Sequence, residues 1–174
     1  MFGSTLKRGF SPTVLALVGL VLAFALAGPS AAVAKQGGTD RPIAVKQSGT
    51  NVIDLASGAY IIDATGIESH LGKVSAHYTG VATPSGPNTI SISGSSVEVA
   101  ANGDKLYATQ SGSATLDAAF NAQGTLVNTI TGGTGRFENA TGVETGTFSM
   151  ETRSLDGGTL TSAISFSLAG GISY

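Results

Sequence analysis

Apolar and polar residues alternate with a period of two over most of this chain. The clearest run is C-terminal, where Leu160, Ile164, Phe166, Leu168 and Ile172 all fall on even positions. Because successive side chains of a strand point to opposite faces, this pattern predicts a half-buried strand that runs to the C-terminus. Shorter runs predict further strands over residues 42–48, 59–65, 69–82, 97–101, 105–116, 126–131 and 143–152.

Glycine-containing turns separate these runs. Asn102-Gly103-Asp104 predicts a hairpin between two strands, because Asn and Gly tolerate the positive φ angles of tight turns, and Asp156-Gly157-Gly158 predicts a second one. Ile90 and Ile92 are even-numbered, whereas Val97 and Val99 are odd-numbered. A bulge or turn is therefore expected at Gly94-Ser95-Ser96, where it would exchange the two faces of the strand.

The fold class follows from the number of strands. Beyond residue 34 no segment offers a dozen residues of helical periodicity without Gly or a β-branched run. Seven or eight antiparallel strands can pack as a sandwich or close into a barrel. Closure removes exposed strand edges, so an all-β antiparallel barrel is the favoured architecture.

The N-terminus is typical of a secretory signal peptide. Lys7 and Arg8 precede an apolar run from Val14 to Ala27, and Ala32-Val33-Ala34 supplies small residues for cleavage after Ala34. A membrane anchor is the alternative, but this run is shorter than the roughly 20 residues of a spanning helix. We predict a signal peptide over residues 1–34, a flexible leader over 35–41 and one domain over 42–174, secreted or periplasmic and without a stable membrane anchor after cleavage.

Composition narrows the possible functions. The 174 residues include 25 Gly and no Cys, and only 11% are charged. Nine Lys and Arg against eleven Asp and Glu provide no basic surface for nucleic acid. The absence of Cys excludes disulfides, thiolate metal sites and Cys nucleophiles. So few charged residues also predict a barrel interior with almost no convergent ionisable groups.

Candidate catalytic residues are few. Glu68 and His70 are two residues apart and would share one face of a strand, so that the carboxylate could orient the imidazole, although a structural hydrogen bond is the favoured interpretation. His77 has the opposite parity, and no metal site is predicted. Tyr78 and Tyr107 are further candidates for the barrel interior. No serine lies in a Gly-x-Ser-x-Gly motif.

A glycine-rich segment, GGTGRFENATG over residues 132–142, predicts a structural corner. Gly132, Gly133 and Gly135 permit positive φ, Phe137 would plug the barrel, and Gly142 would let the next strand begin close to the wall. The segment lacks the Gly-Lys-Ser/Thr ending of a phosphate loop. Arg136 could bind an anionic ligand, but pairing with an acid or with turn carbonyls is the favoured interpretation.

Three phrases carry a resemblance to a known family: GIESHLGK over 66–73, AANGDKLY over 100–107, and the glycine-rich segment. Together they resemble the allene oxide cyclase barrel-like proteins, a secreted bacterial branch of the superfamily of plant allene oxide cyclases and dirigent proteins. The resemblance implies an eight-stranded antiparallel, calycin-like β-barrel and a possible homotrimer. It implies no catalytic residues, because those of the enzymes find no counterpart in this chain.

Two functional hypotheses follow. The first is a non-catalytic barrel that binds a small apolar ligand or serves as a structural or interaction module, without a cofactor. The alternative is an isomerase or cyclase that acts on an oxylipin-like or phenolic intermediate in the lumen, through Glu68, His70, Tyr78 or Tyr107. An open lumen with two of these groups in hydrogen-bond reach would favour the enzyme, whereas a lumen filled by Leu, Ile and Phe would argue against it.

Overall fold

A computed structural model describes residues 40–174, and the predicted signal peptide, the predicted cleavage site and most of the predicted leader lie outside them. The chain forms eight antiparallel strands that close into a barrel, as predicted. The strands are β1 (Arg41–Asp54), β2 (Ala59–Glu68), β3 (Gly72–Gly86), β4 (Thr89–Ala100), β5 (Lys105–Leu116), β6 (Ala122–Gly133), β7 (Thr141–Asp156) and β8 (Thr159–Ser173).

The strands follow one another around the barrel in chain order. Each pairs with the next, and β8 pairs with β1 over its full length, from Arg41 opposite Ile172 to Asp54 opposite Thr159. Closure leaves no free edge strand among them. The one helical element between residues 40 and 174 is the 3-10 turn Gly135–Phe137, so this part of the chain has no helix long and apolar enough to cross a membrane.

Strict alternation separates the lumen from the outer wall. On β8, Leu160, Ile164, Phe166 and Leu168 are buried, which confirms the prediction for this strand. The outward positions carry mainly Ser, Thr and small residues, and Ser165 hydrogen-bonds across the outer wall to Ser149 at 2.9 Å. The low charge of the sequence therefore reflects a wall of small polar side chains.

The predicted exchange of faces at Gly94–Ser96 is wrong. β4 is continuous, and its pairing with β3 and β5 shows no shift there. Even-numbered positions point inward along the whole strand and include buried Ser96 and Glu98, whereas Val97 and Val99 lie on the outer wall. Val97 and Val99 suggested an inward face because apolar residues usually mark the core. In this strand the polar residues Ser96 and Glu98 occupy the inward face instead.

Both predicted hairpins are confirmed, with different turns. Gly157 and Gly158 form a two-residue loop in which both have positive φ, 54° and 85°. The turn around Asn102 is longer, because β4 ends at Ala100 and β5 begins at Lys105, and only Gly103 has positive φ, at 87°. The Asn102 side chain closes it instead by accepting from the Asp104 amide at 3.1 Å.

The two ends of the barrel differ. At the end where β1 begins and β8 ends, which we call the closed end, Phe137 and Ile172 are fully buried in an apolar cluster with Leu71 and Leu106. The ring of Tyr174 packs edge-on against Phe137, with centroids 4.9 Å apart. A larger apolar cluster fills the opposite half of the lumen, where a cavity opens; we call this the pocket end.

Candidate ligand site in the barrel lumen

A belt of buried polar side chains crosses the lumen between the two apolar clusters. The strands supply them from inward positions, so each replaces an apolar residue in an otherwise alternating pattern. All are at most 6% exposed. This polar belt consists of Gln47, Asn51, Glu68, Ser96, Glu98, Gln110, Asn128, Glu144 and Ser162.

Three glutamates of the belt converge on one tyrosine. The Tyr78 hydroxyl lies 3.2 Å from Glu98 Oε1 and also donates to Gln47 Oε1. Both oxygens of Glu68, and one each of Glu98 and Glu144, receive no N–H or O–H from another of the described residues. Buried carboxylates without donors are unfavourable, so the group shares protons. The predicted lumen with almost no convergent ionisable groups is therefore wrong.

Glu68, Glu98 and Glu144 form what we call the acid cluster, and burial is the main cause of the raised pKa values of Glu68 and Glu144. Burial, and then the contact with Glu98, raises the pKa of Glu68 far above its usual range. Burial and the charge of Glu98 raise the pKa of Glu144 to about 7, against the lowering effect of a hydrogen bond from Asn128. A protonated Glu68 can donate its proton to Glu98, which gives that pair a hydrogen bond.

A second group of polar side chains follows one row of cross-strand pairs. Tyr60 lies in the row that continues through Gly80 and Gly94 to Gln110, Asn128 and Glu144. The Tyr60 hydroxyl donates to Gln110 Oε1 at 3.3 Å. Gln110 Nε2 then donates to Asn128 Oδ1 at 3.2 Å, and Asn128 Nδ2 donates to Glu144 Oε2 at 3.2 Å.

The two glycines of this row make room for Tyr60. A Cβ atom at Gly80 or Gly94 would lie only 2.5 Å from the Tyr60 hydroxyl oxygen, so a larger residue at either position would displace the ring. The phenol can therefore lie across β3 and β4 and reach Gln110 on β5. Burial raises the pKa of Tyr60 to about 12, so the hydroxyl keeps its proton and acts as a donor.

A cavity of about 40 Å³ opens at the pocket end. The enclosed part of the cavity holds a few water molecules or one small apolar group, so a single-ring molecule fits only with part of its ring in the open mouth. The polar groups among its lining residues are Asn51, Tyr60 and Gln110, and no member of the acid cluster lines it. The remaining walls are apolar: Ile53, Ile62, Ala82, Ile90, Ile92, Ala122, Leu126, Phe148, Met150, Ile164 and Phe166.

Asn51 lines this cavity and has one acceptor without a partner among the described residues. Its Nδ2 contacts Ser162 Oγ at 3.2 Å and the Met150 sulfur at 3.1 Å, while its buried Oδ1 has no hydrogen-bond partner among the described residues. An unpaired buried amide oxygen is costly, and it is stabilised when a guest molecule donates to it.

The predicted catalytic candidates divide into two groups. Glu68 and Tyr78 face the lumen and both contact Glu98. His70 does not join them, because β2 ends at Glu68 and His70 lies in the following turn with φ 72°. The predicted shared face of Glu68 and His70 is therefore wrong, and His70 Nε2 instead donates to the Pro42 carbonyl at 2.9 Å.

Two other candidates lie away from the lumen. Tyr107 has the outward parity of β5, opposite to buried Leu106 and Ala108. Arg136 is exposed, donates to the His70 carbonyl and covers the Phe137 ring at 4.7 Å, so it pairs with a turn carbonyl as favoured above.

The outer wall carries one His–carboxylate pair. His77 Nδ1 lies 2.7 Å from Asp63 Oδ1, and both side chains are more than half exposed. Within residues 40–174, no group of three His, Asp or Glu side chains has the arrangement of a metal site.

The glycine-rich segment is a structural corner, as predicted. Gly132 and Gly135 have positive φ, 143° and 57°, whereas Gly133 does not. Phe137 is the fully buried plug of the closed end. A Cβ at Gly142 would overlap the backbone of β8, so only glycine lets β7 begin this close to its neighbour.

Sequence reasoning missed most of the polar belt. A readable signal existed, since Gln110 and Asn128 occupy positions whose parity matches buried neighbours on the same strand, such as Leu106 and Leu126. Glu144 likewise shares the inward parity of Phe148. A polar residue in the inward register of an otherwise apolar strand is the pattern that identifies such positions.

Comparisons with protein-family models, with curated proteins and with solved structures find no match to this chain.

Proposed function

We propose that this protein is a secreted, non-catalytic barrel that binds a small and mostly apolar molecule in its lumen, entering at the pocket end. The observation that carries the proposal is the cavity itself, which is walled by apolar side chains and is also lined by Asn51, whose buried Oδ1 has no partner among the described residues. Pockets of this composition, apolar with a few placed polar groups, are typical of small-molecule sites.

The packing of the closed end supports ligand entry from the pocket end. Phe137, Ile172 and Tyr174 fill it, so a guest molecule would meet a packed core there. At the pocket end the lining residues Ala82, Ile90 and Ile92 are only partly buried. The resemblance to the allene oxide cyclase barrel-like family, with its secretion signal, fits a barrel that works outside the cytoplasm.

The alternative function is an isomerase or cyclase. It is favoured by one arrangement, the contacts of Glu68 and Tyr78 with Glu98, which supply a proton donor and acceptors within the lumen. None of these three side chains lines the cavity, however. A substrate there would meet Asn51, Tyr60 and Gln110 first, which are groups suited to binding, and for this reason we place binding before catalysis.

Calorimetric titration with toluene tests the proposal. Toluene is small, apolar and uncharged, and we expect saturable binding to the wild-type protein. Ala82→Leu should weaken binding by at least about tenfold by filling the cavity. Ala169→Leu adds the same volume on the outer wall, where Ala169 is exposed, and should leave binding unchanged.

Failure of toluene to bind, or equal effects of the two variants, would contradict the proposal. Native mass spectrometry of protein from its own secretions would complement the titration, because it reports a retained ligand and the subunit number together. Chemical conversion of that ligand by the pure protein would favour the isomerase instead.

A further inference from the structure

The cross-strand row from Tyr60 to Glu144 connects the cavity to the acid cluster. Tyr60 and Gln110 line the cavity, whereas Glu144 is 2% exposed and lies within the cluster. Side chains opposite each other in antiparallel strands have Cβ atoms about 5 Å apart, so register alone brings Gln110, Asn128 and Glu144 into contact. The connection is thus built into the sheet.

Every hydrogen bond in the row points the same way. Tyr60 donates to Gln110, Gln110 to Asn128 and Asn128 to Glu144. An ionised Glu144 can only accept, so it fixes this direction. The Tyr60 hydroxyl proton is then committed to Gln110, and what the row offers to the cavity is acceptor capacity, on the Tyr60 oxygen and on Gln110 Oε1.

Once Glu144 is protonated, its carboxyl can donate, and the direction of the hydrogen bonds along the row is no longer fixed. A neutral carboxyl can donate to Asn128 Oδ1 once the Asn128 amide turns over. When the Gln110 amide turns over as well, Asn128 Nδ2 can donate to Gln110 Oε1, and Gln110 Nε2 can donate to the Tyr60 oxygen. In this reversed row the Tyr60 hydroxyl proton is free to point into the cavity. A proton bound at Glu144 therefore changes what the row offers to the cavity at Tyr60 from an acceptor to a donor.

We propose that the row Tyr60–Gln110–Asn128–Glu144 selects the lumen ligand by its polar group, binding hydroxyl-bearing molecules when Glu144 is ionised and carbonyl-bearing molecules when it is protonated. This inference rests on the proposed ligand-binding function and adds the chemical class of the ligand. Asn51 Oδ1 accepts in both states and supports the hydroxyl-bearing class further.

The surroundings of Glu144 are compatible with a change of protonation near neutral pH. Glu98 on β4 and Glu68 on β2 face it across the lumen, together with the Tyr78 hydroxyl on β3. On the strands beside β7, Asn128 on β6 donates to Glu144, and the cross-strand partner of Glu144 on β8 is Gly170, which carries no charge. With its pKa raised to about 7, Glu144 exchanges its proton in this range.

The test compares three single-ring ligands at pH 5.5 and 8.5: toluene, benzyl alcohol and acetophenone, none of which ionises in this range. We expect the ratio of benzyl alcohol affinity to acetophenone affinity to rise about fivefold or more from the lower to the higher pH, the effect of one hydrogen bond. Glu144→Gln should abolish this change. Glu68→Gln should preserve it, because Glu68 is already neutral and lies outside the row.

The outcomes separate this inference from the proposed function. If toluene fails to bind at either pH, the ligand-binding function itself fails. If toluene binds and the ratio does not change with pH in the wild-type protein, the selection by Glu144 is wrong. A change that persists in Glu144→Gln would also overturn it, since a group outside the row would then be responsible.

Discussion

The two ends of this barrel are built from the same eight strands but are closed by different means. At the closed end, the loop between β6 and β7 folds inward and places Phe137 in the lumen, where Tyr174 covers it. At the pocket end the loops stay outside, and the turns are held by carboxylates such as Asp117, which accepts from the Ala119 and Asn121 amides. One loop thus decides which end is core and which end can admit a guest.

The polar belt divides these two ends. Its acid cluster would be unfavourable in a fully packed core, because buried carboxylates without donors lose solvation. The cluster is connected to the cavity by the row from Tyr60 to Glu144, and buried groups that reduce stability are often kept at functional sites. The comparison therefore predicts that the closed end contributes stability and the belt reduces it.

The largest effect is expected for Phe137→Ala. Phe137 is fully buried, and its removal leaves a cavity in the closed end, so we expect a loss of about 3–5 kcal/mol in the free energy of unfolding. Ile92→Ala at the partly buried rim of the pocket end should cost only about 1–2 kcal/mol. Urea denaturation measures both, and equal losses would refute the difference between the two ends.

A smaller effect of opposite sign is expected for Glu68→Gln. Holding this carboxyl neutral at pH 7, when its ordinary pKa is 4.5, costs the fold up to about 3 kcal/mol, which the amide avoids. Because the folded-state pKa is raised, this cost is absent below pH 4.5 and grows as the pH rises. Glu68→Gln should therefore stabilise the protein at pH 8 and change little at pH 4.5.

The control for this prediction is Glu151→Gln. Glu151 is exposed on β7 beside Arg153, with the charged atoms 3.2 Å apart, and exposed ion pairs contribute little. Unfolding curves at the two pH values should be nearly unchanged in this variant. Destabilisation of Glu68→Gln at pH 8 would mean that the carboxylate makes contacts on which the fold depends.

Sequence pattern predicted the strands and the closed barrel because alternation and glycine turns are local signals. It failed for Glu98 because two outward valines, Val97 and Val99, resemble a core face, and only pairing with distant strands shows which face is inside. It failed for His70 because a non-glycine residue with positive φ in a turn has no sequence marker. The plug was predictable, since Phe137 is a large apolar residue in a glycine-rich corner.

The smallest effect is expected at the pocket end, in the turn between β5 and β6. Asp117→Ala removes the acceptor for the Ala119 and Asn121 amides and for the Asn121 side chain. We expect faster hydrogen exchange at these amides, with almost no change in the midpoint of global unfolding. Asp117→Asn keeps an acceptor, so its exchange rates should lie between those of the wild-type protein and those of Asp117→Ala. A large global loss would show that this turn is as essential as the Phe137 loop.

Methyl NMR during a toluene titration tests the central claim most directly, because the two ends carry different methyl groups. We expect saturable shifts confined to Ile53, Ile62, Ile90, Ile92 and Ile164, which line the cavity, with the closed-end methyls of Ile43, Leu71 and Leu106 unmoved. Shifts at the closed end, or none at the cavity, would contradict the account of a barrel sealed at one end and open to a small ligand at the other.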